Sequence, residues 1–470
     1  GGLELLLFAN HLGDGKMANI PWLQELPDPI NRTCWDNYLC ISKNLADNLG
    51  LKNKISADGQ LDGDIVTIKS GKLELSNIPV FIQPGHSDDT VSLSFGYGRT
   101  KSGKSGDNVG VNAFIFYKNF ISEYSGIEII KQETSPHKFA SVQLAHTMMG
   151  RDIVKEATLK EYKKDKFAGN HPENLHTPEG MKHVENISLW KQHDYNDGHL
   201  WNLAIDLNKC TGCGACVTAC HIENNVPVVG KSEIRKHRDM HWLRIDRYYS
   251  SDMTMEKAES LNEDDNPNND IGLVKKYKLM EEPSQNPEVV FQPVMCQHCN
   301  NAPCETVCPV AATSHSKEGL NHMAYNRCVG TRYCANNCPY KVRRFNWFNY
   351  KDNDDFDFNM NDDLGKLVLN PDVTVRARGV MEKCSFCIQN IQKAKLDAKK
   401  ENRKVKDGDV KIACEHACTT GAMVFGDVND KSSKVHKEKQ HERSYNLLAS
   451  VGTRPNVFYK TKIRNKKDVS

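Results

Sequence analysis

Cys210-Thr-Gly-Cys213-Gly-Ala-Cys216-Val-Thr-Ala-Cys220 is the stretch that decides the fold, four cysteines spaced C-x2-C-x2-C-x3-C. The first three thiols fall within seven residues, and Gly212, Gly214 and Ala215 between them keep the loop slim. A backbone of that kind can curl around a cube of iron and sulfide, while the x3 step carries the last thiol away on a helix. A zinc ion asks for something else: four tetrahedral ligands, commonly two C-x2-C knuckles far apart in sequence. The run therefore reads as three ligands of one 4Fe–4S cluster and one thiolate of a second.

Three more groups lie downstream. Cys296-Gln-His-Cys299-Asn-Asn-Ala-Pro-Cys304-Glu-Thr-Val-Cys308-Pro309 is the same run with two extra residues before its third cysteine. Cys384-Ser-Phe-Cys387 and Cys414-Glu-His-Ala-Cys418 form a split group. Alone, that group fits zinc as well as a cluster. Beside the first group it is read as cluster-binding, because Cys220 needs a second cluster to ligate. In Cys328-Val-Gly-Thr331-Arg-Tyr-Cys334-Ala-Asn-Asn-Cys338-Pro339, Thr331 stands where a second cysteine belongs. A neutral hydroxyl is a poor iron ligand compared with a thiolate, so this group is expected to hold a 3Fe–4S cluster. The alternative is a fourth iron held by Thr331 or water.

In bacterial ferredoxins each run lends its last cysteine to the partner cluster. That rule gives three 4Fe–4S sets: Cys210, Cys213 and Cys216 with Cys418; Cys384, Cys387 and Cys414 with Cys220; Cys296, Cys299 and Cys304 with Cys338. The 3Fe–4S set is Cys308, Cys328 and Cys334, and every cysteine after position 200 is then used. Cys34 and Cys40 read as isolated thiols. His221 and His298 adjoin ligands but are read as neighbours, since the cysteine sets are already complete. No catalytic residue is assigned, because no nucleophilic triad, P-loop, GxGxxG or C-x-x-C-H run emerges.

A chain of 470 residues suits two or three domains. Lys+Arg 62 against Asp+Glu 60 gives a net charge of +2, which is no footprint for nucleic acid. A disulfide framework would suit a short secreted domain with an even cysteine count, not these 17. The longest apolar runs, such as Leu5 to Ala9, fall far short of the roughly 20 residues that cross a bilayer. The sequence begins Gly-Gly-Leu, with neither Met nor a signal pattern, so the expectation is either a removed targeting segment or, the favoured reading, an internal piece of a longer polypeptide.

Ahead of the cysteines, Leu3 to Leu12 reads as a short apolar helix or strand. Ser42 reads as the N-cap of a helix ending near Gly50. From Gly63 to Tyr117, short β-branched runs such as Ile65 to Ile68, Ile78 to Ile82 and Val91 to Phe95 alternate with turn residues, which suggests a small barrel or sandwich. The polar insertions Ser251 to Glu288 and Lys351 to Pro371 read as solvated faces. Arg332, Lys341, Arg343 and Arg344 lie near ligands in sequence. Ion pairing with acidic loops is the ordinary reading for them. The other is that they raise cluster potentials.

The stretch from Leu203 to Tyr350 resembles the four-cluster subunits of the complex iron–sulfur molybdoenzyme family. The resemblance is carried by Ile205-Asp206-Leu207-Asn208-Lys209-Cys210, Glu223-Asn224-Asn225-Val226-Pro227, Cys308-Pro309-Val310-Ala311-Ala312-Thr313 and Cys338-Pro339-Tyr340-Lys341-Val342-Arg343-Arg344-Phe345-Asn346. Within it, the Cys328 to Cys334 segment and Met240-His-Trp-Leu-Arg-Ile-Asp-Arg-Tyr248 look like the fused iron–sulfur subunit of alternative complex III, a bacterial quinol-oxidising respiratory assembly. Asn19-Ile-Pro-Trp-Leu-Gln-Glu-Leu-Pro-Asp-Pro29 and Gly63-Asp-Ile-Val66 resemble the pterin-dinucleotide domain of molybdopterin oxidoreductases.

The resemblance implies an α+β chain in four parts. These are a β-barrel-like domain of the pterin-dinucleotide type at 1–118, an extended polar connector at 119–198 with one helical stretch around Arg151 to Lys166, a ferredoxin-like domain of two double-cluster units at 199–430, and a basic tail at 431–470. It implies no molybdopterin. It also implies a membrane quinol-binding subunit and multihaem c-type cytochrome subunits as partners, at the periplasmic face of the cytoplasmic membrane. The wider family suggests an alternative role, as the electron-transfer part of a molybdopterin oxidoreductase.

Overall fold

Strict alternation starts the first sheet. In Glu4–Phe8 the side chains of Leu5 and Leu7 turn into the core, while Leu6 and Phe8 face out. The structure, a computed structural model, describes residues 2–188, 191, 193–260 and 272–466. Seven strands lie in the order Glu128–Lys131, Ile65–Ser70, Leu73–Ile82, Leu39–Ile41, Thr90–Ser94, Glu4–Phe8, Glu123–Ser125. Glu4–Phe8 runs parallel to Thr90–Ser94, and Leu39–Ile41 runs parallel to Leu73–Ile82; the other pairings are antiparallel. The result is a mixed-sheet half-barrel whose core is Leu5, Leu39, Ile41, Val66, Ile68, Ile78, Val80, Val91 and Leu93. Ser42 caps Lys43–Asn48 by accepting from the Leu45 N–H at 3.1 Å, and Gly50 follows with a φ of 64°.

The β-rich part runs past 118. Both edge strands of the sheet come from 123–131, and His137–Lys138 and Ala140–Ser141 pair with Leu61–Gly63 and Thr33–Cys34. Thus 119–198 is partly sheet where an extended connector was expected. Edge strands such as Glu128-Ile-Ile-Lys131 carry charge at both ends and bury little, so they read as polar linker. The expected helix from Arg151 to Lys166 contracts to Leu159–Lys164, opened by a Thr158–Glu161 capping box.

The cysteine-rich half is organised on Trp201–Asp206, buried along its whole length. It lies between Met423–Asp427, antiparallel, and Val457–Lys460, parallel, and Ser444–Tyr445 completes the sheet. Residues 431–466 are therefore built into the domain rather than forming a loose basic tail; 467–470 lie outside the described residues. The basic charge meets fixed partners: Lys460 reaches Glu438 at 2.6 Å and Asp206 at 3.4 Å, and Arg443 pairs with Asp206 at 2.9 Å. In the insertion after Ser251, Met255–Ser260 and Gly272–Glu281 are helices, and 261–271 lie outside the described residues.

The two halves share polar and apolar contacts. Glu25, fully buried, accepts from Trp35 Nε1 at 3.1 Å and from the Gly230 N–H at 2.8 Å. Arg235 donates to Phe139 O at 2.8 Å and pairs with Asp62 at 3.0 Å. Leu26 and Trp35 belong to the same core as the buried Cys216, Cys220, Cys296 and Cys387. Among the described residues no helix is long and apolar enough to cross a membrane.

Candidate iron–sulfur sites

Each cysteine group is built on one local plan. A short helix carries the third cysteine as its second residue: Cys216 in Ala215–Glu223, Cys304 in Pro303–Thr306, Cys334 in Tyr333–Asn337 and Cys414 in Ala413–His416. The residue just before the second ligand position is left-handed in all four groups: Gly212 (φ 74°), His298 (45°), Gly330 (74°) and Phe386 (53°). Thr331 thus sits on the same backbone turn as Cys213, Cys299 and Cys387. Glycine takes that turn freely, whereas a side chain costs about 1–2 kcal/mol. His298 and Phe386, which bear it, stack on each other with centroids 3.9 Å apart.

The fold brings distant groups together. The first and last helices of this set pack against each other, as do the middle two. Cys216 lies among Cys210, Cys213 and Cys418, and Cys414 lies among Cys387, Cys384 and Cys220. Cys296, Cys299, Cys304 and Cys338 line one cavity. Cys308, Cys328, Cys334 and Thr331 line another. Among the described residues, no three His, Cys, Asp or Glu side chains converge on a single-ion site. A tetrahedral zinc ion with bonds of about 2.3 Å draws its sulfurs to within roughly 3.8 Å of one another. Thiols spread around a cavity fit a polynuclear cluster instead.

The turn after each helix supplies hydrogen bonds to sulfur. The N–H groups of Ala312 and Ala422 donate to Cys308 Sγ and Cys418 Sγ, both at 3.2 Å, and the Val342 N–H serves Cys338. Each donor follows a left-handed residue: Ala311, Gly421 or Lys341. Burial pushes the Cys308 and Cys418 thiols up, but hydrogen bonds outweigh it and bring both below the usual thiol value: from the backbone of Val310, Thr313 and Ala312 at Cys308, and from the Thr420 hydroxyl and the backbone of Ala422, Met423 and Thr420 at Cys418. At Cys220 the helix runs on to Glu223, and a side chain replaces the turn. Asn224 Nδ2 lies 3.7 Å from both Cys220 Sγ and Cys387 Sγ. Arg376 fixes that loop, donating to Asn224 O at 2.8 Å and Asn225 O at 3.0 Å, and is itself paired with Glu382 at 2.8 Å. Burial drives Cys304 and Cys384 up to about 12, so metal binding must displace their protons.

The four sets form a line. Cys216 neighbours Cys414, Cys384 neighbours Cys296, and Arg343 lies beside both Cys304 and Cys334. The line is open at both ends, where Cys213 and Thr331 are exposed. In the two middle sets every thiol is buried except the half-buried Cys384. Val329 and Tyr333, 65% and 54% exposed, leave apolar surface around the Thr331 end.

Of the four basic residues flagged by sequence, Arg344 pairs with Asp239 at 3.1 Å, Arg332 lies over Phe345 and Trp347, and Lys341 donates to Asn336 O. Arg343 lies beside Cys304, Cys334 and Cys296, whereas Arg344, held by Asp239, faces Cys338 alone. Lys383, Asn224 and the Arg376–Glu382 pair escaped sequence reasoning; adjacency of Lys383 to Cys384, and of Asn224 to Cys220 at helical spacing, was the available signal. Cys34 and Cys40 are buried and free, and Cys40 accepts from Asn31 Nδ2 at 3.4 Å. His221 is buried beside His241, and His298 accepts the Asn321 N–H at its Nδ1.

Comparison with known proteins matches this geometry. Family profiles for a 4Fe–4S dicluster domain match residues 209–312 and 287–353. The iron–sulfur cluster-binding subunit of menaquinone reductase from Nitratidesulfovibrio vulgaris is 35% identical over 264 residues, 55% of this chain and 88% of that subunit. Iron–sulfur subunit 1 of the Hdr-like menaquinol oxidoreductase from Archaeoglobus fulgidus is 31% identical over 278 residues, 55% of this chain and 82% of that subunit. The iron–sulfur subunit of the arsenate respiratory reductase from a Shewanella species is 27% identical over 283 residues, covering 55% and 94%. The chain belongs to the family of 4Fe–4S dicluster iron–sulfur subunits of which the menaquinone reductase subunit is a member.

Proposed function

We propose that this chain is the electron-transfer subunit of a membrane-bound quinol-oxidising complex of the alternative complex III type, carrying electrons from a quinol-binding membrane subunit toward c-type cytochromes at the periplasmic face. The observation that carries the reading is a line of four thiol sets, sealed in the middle and open at both ends. Cys210, Cys213, Cys216 and Cys418 would hold one 4Fe–4S cluster; Cys384, Cys387, Cys414 and Cys220 a second; Cys296, Cys299, Cys304 and Cys338 a third. Cys308, Cys328 and Cys334 would hold a 3Fe–4S cluster, because Thr331 lines that cavity with a hydroxyl in place of a thiolate. Such clusters supply one-electron transfer.

The chain's own residues hold, orient and dry these sites. Ala312, Ala422 and Asn224 direct N–H groups at sulfur, which favours the thiolate form. Buried Leu203, Ile205, Met295 and Phe386 share one core with the thiols and keep water out of it. The half-barrel is proposed as a pterin-dinucleotide-type domain that holds no molybdopterin. The similarity to the iron–sulfur subunit of arsenate respiratory reductase favours a second reading, in which the chain serves a molybdopterin oxidoreductase.

Low-temperature EPR of the oxidised protein tests the assignment. A near-isotropic 3Fe–4S signal is expected and is lost in Thr331→Cys, with iron rising from about fifteen to about sixteen per chain. Clusters that appear only on reduction would overturn the 3Fe–4S assignment. Molybdenum in the intact complex would favour the second reading over the first.

A further inference from the structure

We propose that Lys383 and Arg343 are built-in counter-cations of the Cys296, Cys299, Cys304 and Cys338 set, one at its contact with each neighbouring set, and that they raise the potential of the cluster held there. The inference rests on the cluster reading above.

Both cations are buried, Lys383 at 1% exposure and Arg343 at 6%. Lys383 Nζ donates to Asn321 O at 2.5 Å and Cys384 O at 2.8 Å. Arg343 Nη2 donates to Thr313 Oγ1 at 2.8 Å and meets Met323 Sδ at 3.2 Å, and Nη1 lies 3.5 Å from Asn321 Oδ1. Its Nε is buried with no partner, on a residue that lines the cavity of the four thiols. Among the described residues neither cation is within ion-pair distance of a carboxylate. The nearby carboxylates are engaged elsewhere: Glu382 holds Arg376, Trp242 and Asn346, and Glu305 holds His315 and Asn321. Adjacent Arg344, by contrast, has Asp239.

A buried charge with no opposite charge costs several kcal/mol, and native proteins supply a partner. What these two cations face is sulfur. Arg343 lies beside Cys304, Cys296 and Cys334 and offers a hydrogen bond to Cys334. Lys383 lies beside Cys304 and Cys384. A thiolate-ligated cluster is anionic and becomes more so when reduced, so a fixed cation favours the reduced form. The unpartnered Arg343 Nε–H is also a donor awaiting an acceptor at the cavity wall, which a cluster sulfide would supply. Lys383 serves the contact where Cys384 meets Cys296, and Arg343 the contact where Cys304 approaches Cys334. Neither lies beside the Cys210, Cys213, Cys216 and Cys418 set.

The test is an EPR-monitored redox titration of the full chain, purified without oxygen, in wild type, Arg343→Met and Lys383→Met. Each neutral variant is expected to shift two signals at least tenfold toward the oxidised form, which is about 59 mV for one electron. One signal should move in both variants, two in one variant each, and one in neither. Arg343→Lys and Lys383→Arg should keep wild-type values, because charge and not shape is at issue. If Arg343→Met loses its clusters, Met323→Glu tests the same point. It sets a carboxylate against the guanidinium and should lower the same two potentials, whereas Met323→Gln should not. Redox equilibria within twofold of wild type, about 18 mV for one electron, in neutral variants that retain their clusters would overturn the proposal. So would a uniform shift of all four signals. Iron and sulfide missing from the wild-type protein would refute the cluster reading itself, which keeps the two failures distinct.

Discussion

Glu382→Gln is expected to cost this protein about 3–5 kcal/mol of stability, because it strands a guanidinium that has no access to water. Arg376 and Glu382 are 0% and 1% exposed, and their closest approach is 2.8 Å. Glu382 also accepts from Trp242 Nε1 at 3.1 Å and Asn346 Nδ2 at 2.6 Å, so three donors converge on one carboxylate. Glutamine keeps the shape but presents its own NH2 to at least one of those donors and leaves Arg376 uncompensated. Removing one partner of a buried pair costs far more than removing both. The double variant Arg376→Met/Glu382→Gln should therefore be less destabilised than the sum of the single ones. Its residual loss comes from the carbonyls of Asn224 and Asn225, which Arg376 now satisfies. The assay is the urea midpoint followed by tryptophan fluorescence, analysed as a double-mutant cycle. The exposed pair Arg403–Asp409 is the control, and Asp409→Asn should leave the midpoint unchanged. A Glu382→Gln loss below about 1 kcal/mol, or strict additivity in the cycle, would refute the reasoning.

Three further outcomes can be checked on the same instrument. Burial and the nearby Arg247 charge lower His146 from 6.5 to about 4. The unfolded chain takes that proton near 6.5 and the folded chain only near 4, so stability is whole above 6.5 and falls as pH drops through this window. His146→Phe should flatten the decline, and an unchanged slope would count against it. Ser42→Ala removes the hydroxyl that accepts from the Leu45 N–H and should cost about 1 kcal/mol, with Ser42→Asn restoring most of it. Gly63→Ala places a methyl 2.6 Å from Phe139 Cε2 and 2.7 Å from Val80 O, and overpacking of that kind should cost about 1–3 kcal/mol. A neutral result there would mean that the strand shifts to make room.

What could be read from the sequence was whatever is encoded locally. The C-x2-C-x2-C spacing is a statement about how a loop curls, and the left-handed turn before each second ligand position is the same statement in dihedral angles. Ser42 was legible for the same reason, since a cap acts within one helical turn. Strands that depend on distant partners were not. Val457–Lys460 is four buried residues with no alternation, set among lysines and arginines, and nothing local distinguishes it from a tail. Its burial exists only because Trp201–Asp206 lies alongside it. Glu123–Ser125 and Glu128–Lys131, as edge strands, carry no core pattern at all.

The basic residues near the ligands take this limit furthest. Arg343 and Arg344 are neighbours in sequence and alike in composition, propensity and charge. Arg344 opens a two-residue strand, Arg344–Phe345, and Arg343 stands immediately before it. One is carried to Asp239 as an ordinary ion pair, and the other is buried against the thiols of Cys304, Cys296 and Cys334. A one-residue register slip would change which of the two arginines faces the thiols while leaving the composition untouched. Ligand identity is thus written in spacing that any reader of the sequence can count. The charge that surrounds the ligands is written in strand register, and it becomes visible only once Arg344–Phe345 is paired with Met381–Glu382, the strand that leads directly into Lys383 and Cys384.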